Sequence, residues 1–134
     1  MKLPAELKSL KRFHGHLGPY VTVGLRMGLA AKRVLGDYHG LKATVYCDLE
    51  PPMRCVLDGI QFTSCCTFGK GNISAREGPN PKAVFTKEGK KLVVSLKPGL
   101  RERIDSEMSK AREVEQSLRY YRIPEDDLLE VSLG

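Results

Sequence analysis

A chain of 134 residues, 41% of them hydrophobic and 28% charged, has the size and composition of one domain that buries a core without disulfide or metal staples. Charged residues interrupt every long apolar stretch and the first residues lack a secretory pattern, which argues against a membrane-spanning helix and predicts a cytoplasmic protein. The net charge of +6 favours anionic partners in general, but it is too modest and too dispersed to indicate nucleic-acid binding.

A first helix is predicted over residues 4–13. Leu3, Leu7 and Leu10 form one apolar stripe, and the next position of that stripe is His14. We therefore expect the ring of His14 to face the interior.

A second helix is predicted over residues 19–35, with Pro19 in its first turn and Gly36 at its end. Gly24 and Gly28 lie one turn apart in this helix, and each costs about 1 kcal/mol of helix propensity relative to alanine. Their presence predicts a neighbouring backbone that packs closely against the helix.

Residues 42–49 alternate apolar and polar side chains with the period of a half-buried strand. The pair Pro51-Pro52 then breaks the chain and begins a third predicted helix over residues 52–64. Cys55 falls in the first turn of that helix.

Residues 66–72 are predicted to form a glycine-rich loop, followed by an irregular polar stretch that ends at Pro81. Residues 82–87 and 91–96 read as the two strands of a hairpin that turns at residues 88–90.

The last predicted helix begins near Asp105 or Ser106 and ends before Pro124. Its apolar stripe comprises Ile104, Met108, Ala111, Val114, Leu118 and Tyr121. We expect a single domain over residues 1–134. Its residues 124–134 are expected to form a short terminal helix or turn, with a C-terminal extension of the core as the alternative.

His14 and His16 are the first candidates for chemistry. Residues two apart point in different directions in a helix, so two ligands at this spacing need a looped backbone, and Gly15 between them supplies that freedom. The alternative is that one ring packs at the helix end while the other is exposed.

Cys55 is the second candidate. In a protein with no export signal its thiol is expected to be free, and a helix N-terminus together with Arg54 favours the thiolate, which is both a nucleophile and a soft ligand. The alternative is a small buried hydrophobic side chain.

Cys66 and the following loop rank lower. A continuous helix would separate Cys66 from Cys55 by about 16 Å, so the two share a site only if the helix ends early and the chain turns back. Gly69, Lys70 and Gly71 could present backbone N–H groups and an ammonium to an anion, although the loop is not a Walker A motif.

Three motifs in order resemble a known family. They are Phe-His-Gly-His-Leu-Gly-Pro at 13–19, Cys-Val-Leu-Asp-Gly-Ile-Gln at 55–61 and Cys-Thr-Phe-Gly-Lys-Gly-Asn at 66–72. Together they resemble the FmdE or FwdE family of formylmethanofuran dehydrogenase proteins. The resemblance implies an α+β core domain, with a small mixed β-sheet packed by helices, and a homodimer.

The resemblance also implies a metal-binding or active site formed by His14, His16 and Cys55, with Cys66 and the Gly69–Gly71 loop nearby. Members of this family commonly carry a cysteine where this chain has Gly18, so one thiolate is missing, and no cysteine follows Cys66 to build the C-terminal zinc finger of some members. The remaining donors suit Zn²⁺, and could also accept Ni²⁺ or Fe²⁺, with an open fourth position.

Three functional hypotheses follow. The first is a metal-binding accessory or redox protein of one-carbon metabolism, associated through its family with the molybdenum or tungsten dehydrogenase. The second is an enzyme whose nucleophile Cys55 is activated by His16, with Lys70 and the loop N–H groups stabilising an anion formed from a small-molecule substrate. The third is a non-catalytic protein that binds to the subunits of an oxidoreductase.

Overall fold

One mixed β-sheet with helices on one face makes up the part of the chain that the computed structural model describes, residues 2–134. These residues form six α-helices and five strands. The helices are α1 Ala5–His14, α2 Pro19–Leu35, α3 Val56–Ser64, α4 Leu100–Glu107, α5 Glu113–Arg122 and α6 Glu125–Leu128. The strands are β1 Lys42–Cys47, β2 Ile73–Glu77, β3 Lys82–Lys87, β4 Lys90–Leu96 and β5 Leu129–Leu133.

The sheet has the strand order β2-β1-β3-β4-β5. Only β1 and β2 run parallel, with Ala43 opposite Ile73, whereas every other neighbouring pair is antiparallel. This arrangement confirms the expected α+β class and its small mixed sheet.

Burial alternates along the strands, so that one face of the sheet is covered and the other is open to solvent. The covered face carries Val45, Phe85 and Val94, which pack with α2 and α3 in the main core. The hairpin of β3 and β4 was predicted correctly, and its turn has a positive φ at Glu88 and Gly89.

A second, smaller core lies on the other side of α2. Leu7 and Leu10 from α1 meet Leu25 from α2 and Leu118 from α5. Because α2 separates the two cores, it is buried nearly all the way round and acts as the central helix of the fold.

Glycines allow α2 and α3 to approach at backbone distance. A Cβ added at Gly24 would lie 2.1 Å from the Val56 carbonyl oxygen, and one added at Gly59 would lie 2.1 Å from the Val21 carbonyl oxygen. The close backbone neighbour predicted from Gly24 and Gly28 is therefore confirmed, and that neighbour is α3.

Strand β2 lies in the stretch that was expected to be irregular. Its residues are mostly exposed, as suits an edge strand, and only Ile73 is buried, so the pattern of the sequence carries little strand signal. Pairing with β1 supplies its backbone hydrogen bonds instead.

The single long C-terminal helix predicted from one apolar stripe is wrong, because the chain breaks at Met108, which has an extended conformation with ψ of 129°. The stripe divides between two cores: Ile104 enters the main core and Leu118 enters the smaller one. The Gln116 side-chain amide donates to the Glu107 carbonyl oxygen and so joins the two helices across the break.

Residues 124–134 include the short helix α6, as expected, followed by β5, which is an edge strand of the sheet. Leu128 and Leu129 are buried, and β5 pairs with β4 along its length, with Val131 opposite Val94. Among the helices formed by residues 2–134, none has both the length and the apolar character that crossing a bilayer requires.

Replacing Gly59 by alanine should destabilise the fold, because the new methyl group would overlap the backbone of α2. We expect the free energy of unfolding to fall by ~3 kcal/mol, at the upper end of the usual cost of overpacking. Urea unfolding followed by circular dichroism measures this change. The matched control is Gly69→Ala, where an added Cβ meets nothing within 4 Å. Equal unfolding free energies for the two variants would contradict the close helix contact.

Candidate functional site

The candidate site lies where α1 ends and the chain turns into α2. His14 is the last residue of α1, and Gly15 closes the helix with a φ of 102° and an N–H bond to the Lys11 carbonyl oxygen. A side chain with a Cβ rarely adopts this φ, so Gly15 is required for the sharp exit that places the two histidines together.

His14 faces inward, as its position on the stripe predicted, and only 9% of its side chain is exposed. Its Nδ1–H donates to the Asp58 carboxylate of α3 over 2.5 Å. This bond fixes the ring orientation, and in the neutral ring it leaves Nε2 with a lone pair. Nε2 is buried and has no hydrogen-bond partner within residues 2–134.

His16 lies beside His14, with ring centroids 4.7 Å apart, but its side chain is 55% exposed. Its Nδ1–H donates to the Leu17 carbonyl oxygen at 2.9 Å, and the Glu113 carboxylate is 3.6 Å from the same nitrogen. His16 lines a neighbouring groove of about 520 Å³ together with Pro19 and Met108. Both histidines thus use Nδ1 as a donor and keep Nε2 as the available ligand atom.

Cys55 lines the same cleft as His14 and Asp58, a cleft of about 310 Å³. The residue closes a short 3-10 turn, Met53–Cys55, and immediately precedes α3. Burial raises the pKa of the Cys55 thiol, and the negative charge of Asp58 raises it further. The thiol is therefore less acidic than its place at a helix start suggested, because burial outweighs the helix terminus.

Cys66 does not join this cleft. It is fully buried in the main core, where its thiol donates to the Leu41 carbonyl oxygen over 3.6 Å and burial raises its pKa. The chain does turn back after α3, which is what a site shared by Cys55 and Cys66 would need. The turn nevertheless directs Cys66 into the main core, towards the sheet.

The glycine-rich loop contributes an aromatic ring to the cleft rather than a cation. Residues Phe68–Lys70 form a short 3-10 helix, and the Phe68 side chain lines the cleft. The Lys70 ammonium lies 5.1 Å from the centroid of the Tyr38 ring instead. Gly69 and Gly71 are exposed in the turn.

Asp58 is the residue whose part in the site the sequence did not single out. Asp48, Glu50 and Asp58 are all near the motifs in sequence, and spacing distinguishes none of them as a site residue. One signal was present: Cys55 and Asp58 are three residues apart, which places them on one face of a helix. The partner across the cleft, His14, is 44 residues away in sequence and only the packing of α1 on α3 reveals it.

The residues between positions 2 and 134 contain no ready-made group of three His, Cys, Asp or Glu side chains close enough together to hold a metal ion. His14 and Cys55 share the cleft, while His16 is turned towards the adjacent groove. A three-ligand site therefore requires His16 to reorient.

Comparison with known proteins gives one family match. Residues 13–130 match the model of the family FmdE, described as molybdenum formylmethanofuran dehydrogenase operon. This range includes all three sequence motifs, the cleft and four of the five strands in full.

The similar proteins include a curated relative and a solved structure. A probable S-adenosyl-L-methionine-binding protein of Archaeoglobus fulgidus is 35% identical over 75 residues, which cover 54% of this chain and only 20% of that relative. The crystal structure of an FmdE-like protein of tungsten formylmethanofuran dehydrogenase from Syntrophus aciditrophicus has a TM-score of 0.66 and 22% identity, covering 96% of this chain and 69% of the other. At that identity the second comparison shows the shared fold.

Replacing Asp58 by asparagine should lower the pKa of the Cys55 thiol, because it removes the negative charge that opposes ionisation. The pKa should stay above that of an exposed thiol, since burial is the larger cause and remains. The pH dependence of Cys55 alkylation by iodoacetamide, read by peptide mass spectrometry in EDTA-treated protein, measures the pKa. Glu88→Gln removes the same charge in the distant hairpin turn and should leave the profile unchanged. A profile that Asp58→Asn does not move would show that the carboxylate exerts no influence on the thiol.

Proposed function

This chain belongs to the FmdE family, and from that membership we propose that it is an accessory protein of formylmethanofuran dehydrogenase-related one-carbon or redox metabolism that binds a divalent transition metal. The ligands in this proposal are His14, His16 and Cys55. The observation that carries it is the buried Nε2 of His14, which has no hydrogen-bond partner within residues 2–134 and belongs to a ring held in place by Asp58.

A buried acceptor without a partner is costly, by about 1–3 kcal/mol. The cost is explained if the nitrogen serves a ligand. Metal-binding histidines usually donate their other ring N–H to a carboxylate or a backbone carbonyl, which fixes the ring and raises its basicity. His14 donates its Nδ1–H to the carboxylate of Asp58, and His16 donates its Nδ1–H to the backbone carbonyl of Leu17.

Cys55 completes a donor set of two imidazoles and one thiol. A cation beside the thiol would reverse the effect of burial and favour the thiolate. Nitrogen and sulfur donors of this kind suit Zn²⁺, and Ni²⁺ or Fe²⁺ are compatible alternatives. A metal held this way supplies a Lewis-acid position for water or substrate. Because His16 is half exposed, it can turn towards the cleft at the expense of its bond to Leu17.

A cysteine-dependent enzyme is the second candidate function, and one observation favours it. Cys55, His14 and Asp58 share one cleft. In such an enzyme Cys55 is the nucleophile, His14 is the base, and Asp58 orients the ring of His14 through their hydrogen bond. The geometry thus offers His14, rather than His16, as the base. The raised pKa of the thiol and the lack of a hydrogen bond from it to the ring of His14 weigh against an activated nucleophile in the metal-free protein.

We also propose that the protein is cytoplasmic and acts as a homodimer, with oxidoreductase subunits as further partners and a small molecule as substrate. A continuous Met108–Tyr121 helix cannot provide the surface for these partners, because α4 and α5 are separate. The open face of the sheet is the alternative surface for a partner.

Metal analysis of the untagged protein tests the proposed ligands. Wild-type protein dialysed against Zn²⁺ should retain about one equivalent by plasma mass spectrometry, and His14→Ala and Cys55→Ser should each lose at least ~10-fold in affinity. His39→Ala is the matched control, since His39 is an exposed histidine whose ring pairs with Asp37. If wild type and the site variants retain the same negligible metal, the metal proposal is wrong and the cysteine enzyme becomes the better candidate.

A further inference from the structure

The cleft beside Cys55 contains more polar groups than a metal site needs. Besides His14, Cys55 and Asp58, its lining includes Arg54, Gln61 and the ring of Phe68. Arg54, Asp58 and Gln61 lie along one side of α3 and the turn before it, at spacings of four and three residues.

Arg54 brings a positive charge to the cleft. Its Nη1 donates to the Leu49 carbonyl oxygen at 3.0 Å, which holds the side chain and leaves other guanidinium N–H groups available. Arg54 forms no ion pair with any carboxylate of residues 2–134, whereas Asp58 in the same cleft is already bonded to His14. The Arg54 guanidinium is therefore open to an anionic ligand, while the Asp58 carboxylate keeps its negative charge and is bonded to His14 on the same wall.

Gln61 adds a second donor. Its Oε1 accepts the backbone N–H of Phe68 at 3.2 Å, which identifies that atom as the oxygen and leaves the Nε2 amide hydrogens to face a ligand. The same bond ties Phe68 to α3.

Phe68 is an aromatic ring left 55% exposed at the cleft. Leu57 and Pro51 supply further apolar surface along the wall. Large exposed apolar side chains next to convergent polar groups are characteristic of small-molecule sites.

We propose that this cleft binds a small carboxylate with an apolar or aromatic body, its carboxylate between the Arg54 guanidinium and the Gln61 amide and its body against Phe68. Arginine suits a carboxylate because its planar N–H groups match the two oxygens. The inference rests on the proposed function only in taking this cleft as the site, and it does not depend on a bound metal.

Alkylation of Cys55 provides the test, because iodoacetate and iodoacetamide differ in charge and hardly in size. Cys47 and Cys66 are fully buried, and peptide mapping separates Cys55 from the half-buried Cys65. In EDTA-treated protein, the iodoacetate-to-iodoacetamide rate ratio should fall by about fivefold in Arg54→Gln, as the loss of an exposed ion pair predicts.

Lys90→Gln, which removes the same charge from the exposed hairpin, should leave that ratio within twofold, or about 0.4 kcal/mol. Arg54→Lys keeps the charge and should retain part of the preference. Because Arg54 is exposed, we expect both Arg54 variants to melt like wild type. Equal ratios in wild type and Arg54→Gln, or an equal fall in Lys90→Gln, would overturn the proposal.

Protection by ligands identifies the chemical class. Phenylacetate should slow iodoacetamide alkylation of Cys55 in the wild type and not in Arg54→Gln, whereas the neutral phenylacetamide should have little effect. Equal protection by phenylacetamide would overturn the role of charge. Stronger protection by phenylphosphonate would overturn the carboxylate assignment. Because EDTA removes any metal from these samples, the results are separate from the metal analysis, and either proposal can fail alone.

Discussion

The backbone contact between α2 and α3 is the constraint on which the rest of the structure depends. At Gly24 and Gly59 the two helices approach so closely that a single added methyl group would overlap a carbonyl oxygen of the other helix. This contact fixes the start of α3, and with it Cys55 and Asp58, against the helix that separates the two cores. The sheet packs on one side of this pair and α1 with α5 on the other, so the two cores share one central helix.

The candidate site lies at the junction of these layers. The bond from His14 to Asp58 joins the end of α1 to α3, and it orients a ring whose second nitrogen is buried without a partner among residues 2–134. In addition, Arg26 joins α2 to the end of α5, where it donates to the carbonyl oxygens of Tyr120, Tyr121 and Ile123. His14 and Asp58 are consequently held by helices rather than by loops, which favours a defined geometry for this pair.

Much of the fold was predictable because local patterns and tertiary structure agree. The bounds of α2, the hairpin and the inward position of His14 follow from periodicity, turn residues and the Leu7–Leu10 stripe. The predictions failed in two kinds of place. In one, a single apolar stripe runs through two helices that pack in different cores; in the other, strand pairing forms a strand that the sequence pattern does not indicate. The stripe from Ile104 to Leu118 fits one helix, but its ends serve different cores. Strands β2 and β5 lie at the two edges of the sheet and span five residues each, of which only Ile73 and Leu129 are buried, so they give little local signal.

By itself the sequence determined the family, the α+β class and the closely packed glycines, and it led to the hypothesis that a His-Gly-His turn and Cys55 share a site. Only the tertiary structure decided which of the candidate groups meet. It placed Asp58 on His14, directed Cys66 into the core and Lys70 onto Tyr38, and brought Arg54 and Phe68 to the cleft. The physical reason is that residue type and spacing specify a helix face, whereas a contact across 44 residues depends on how helices pack, which no local pattern contains.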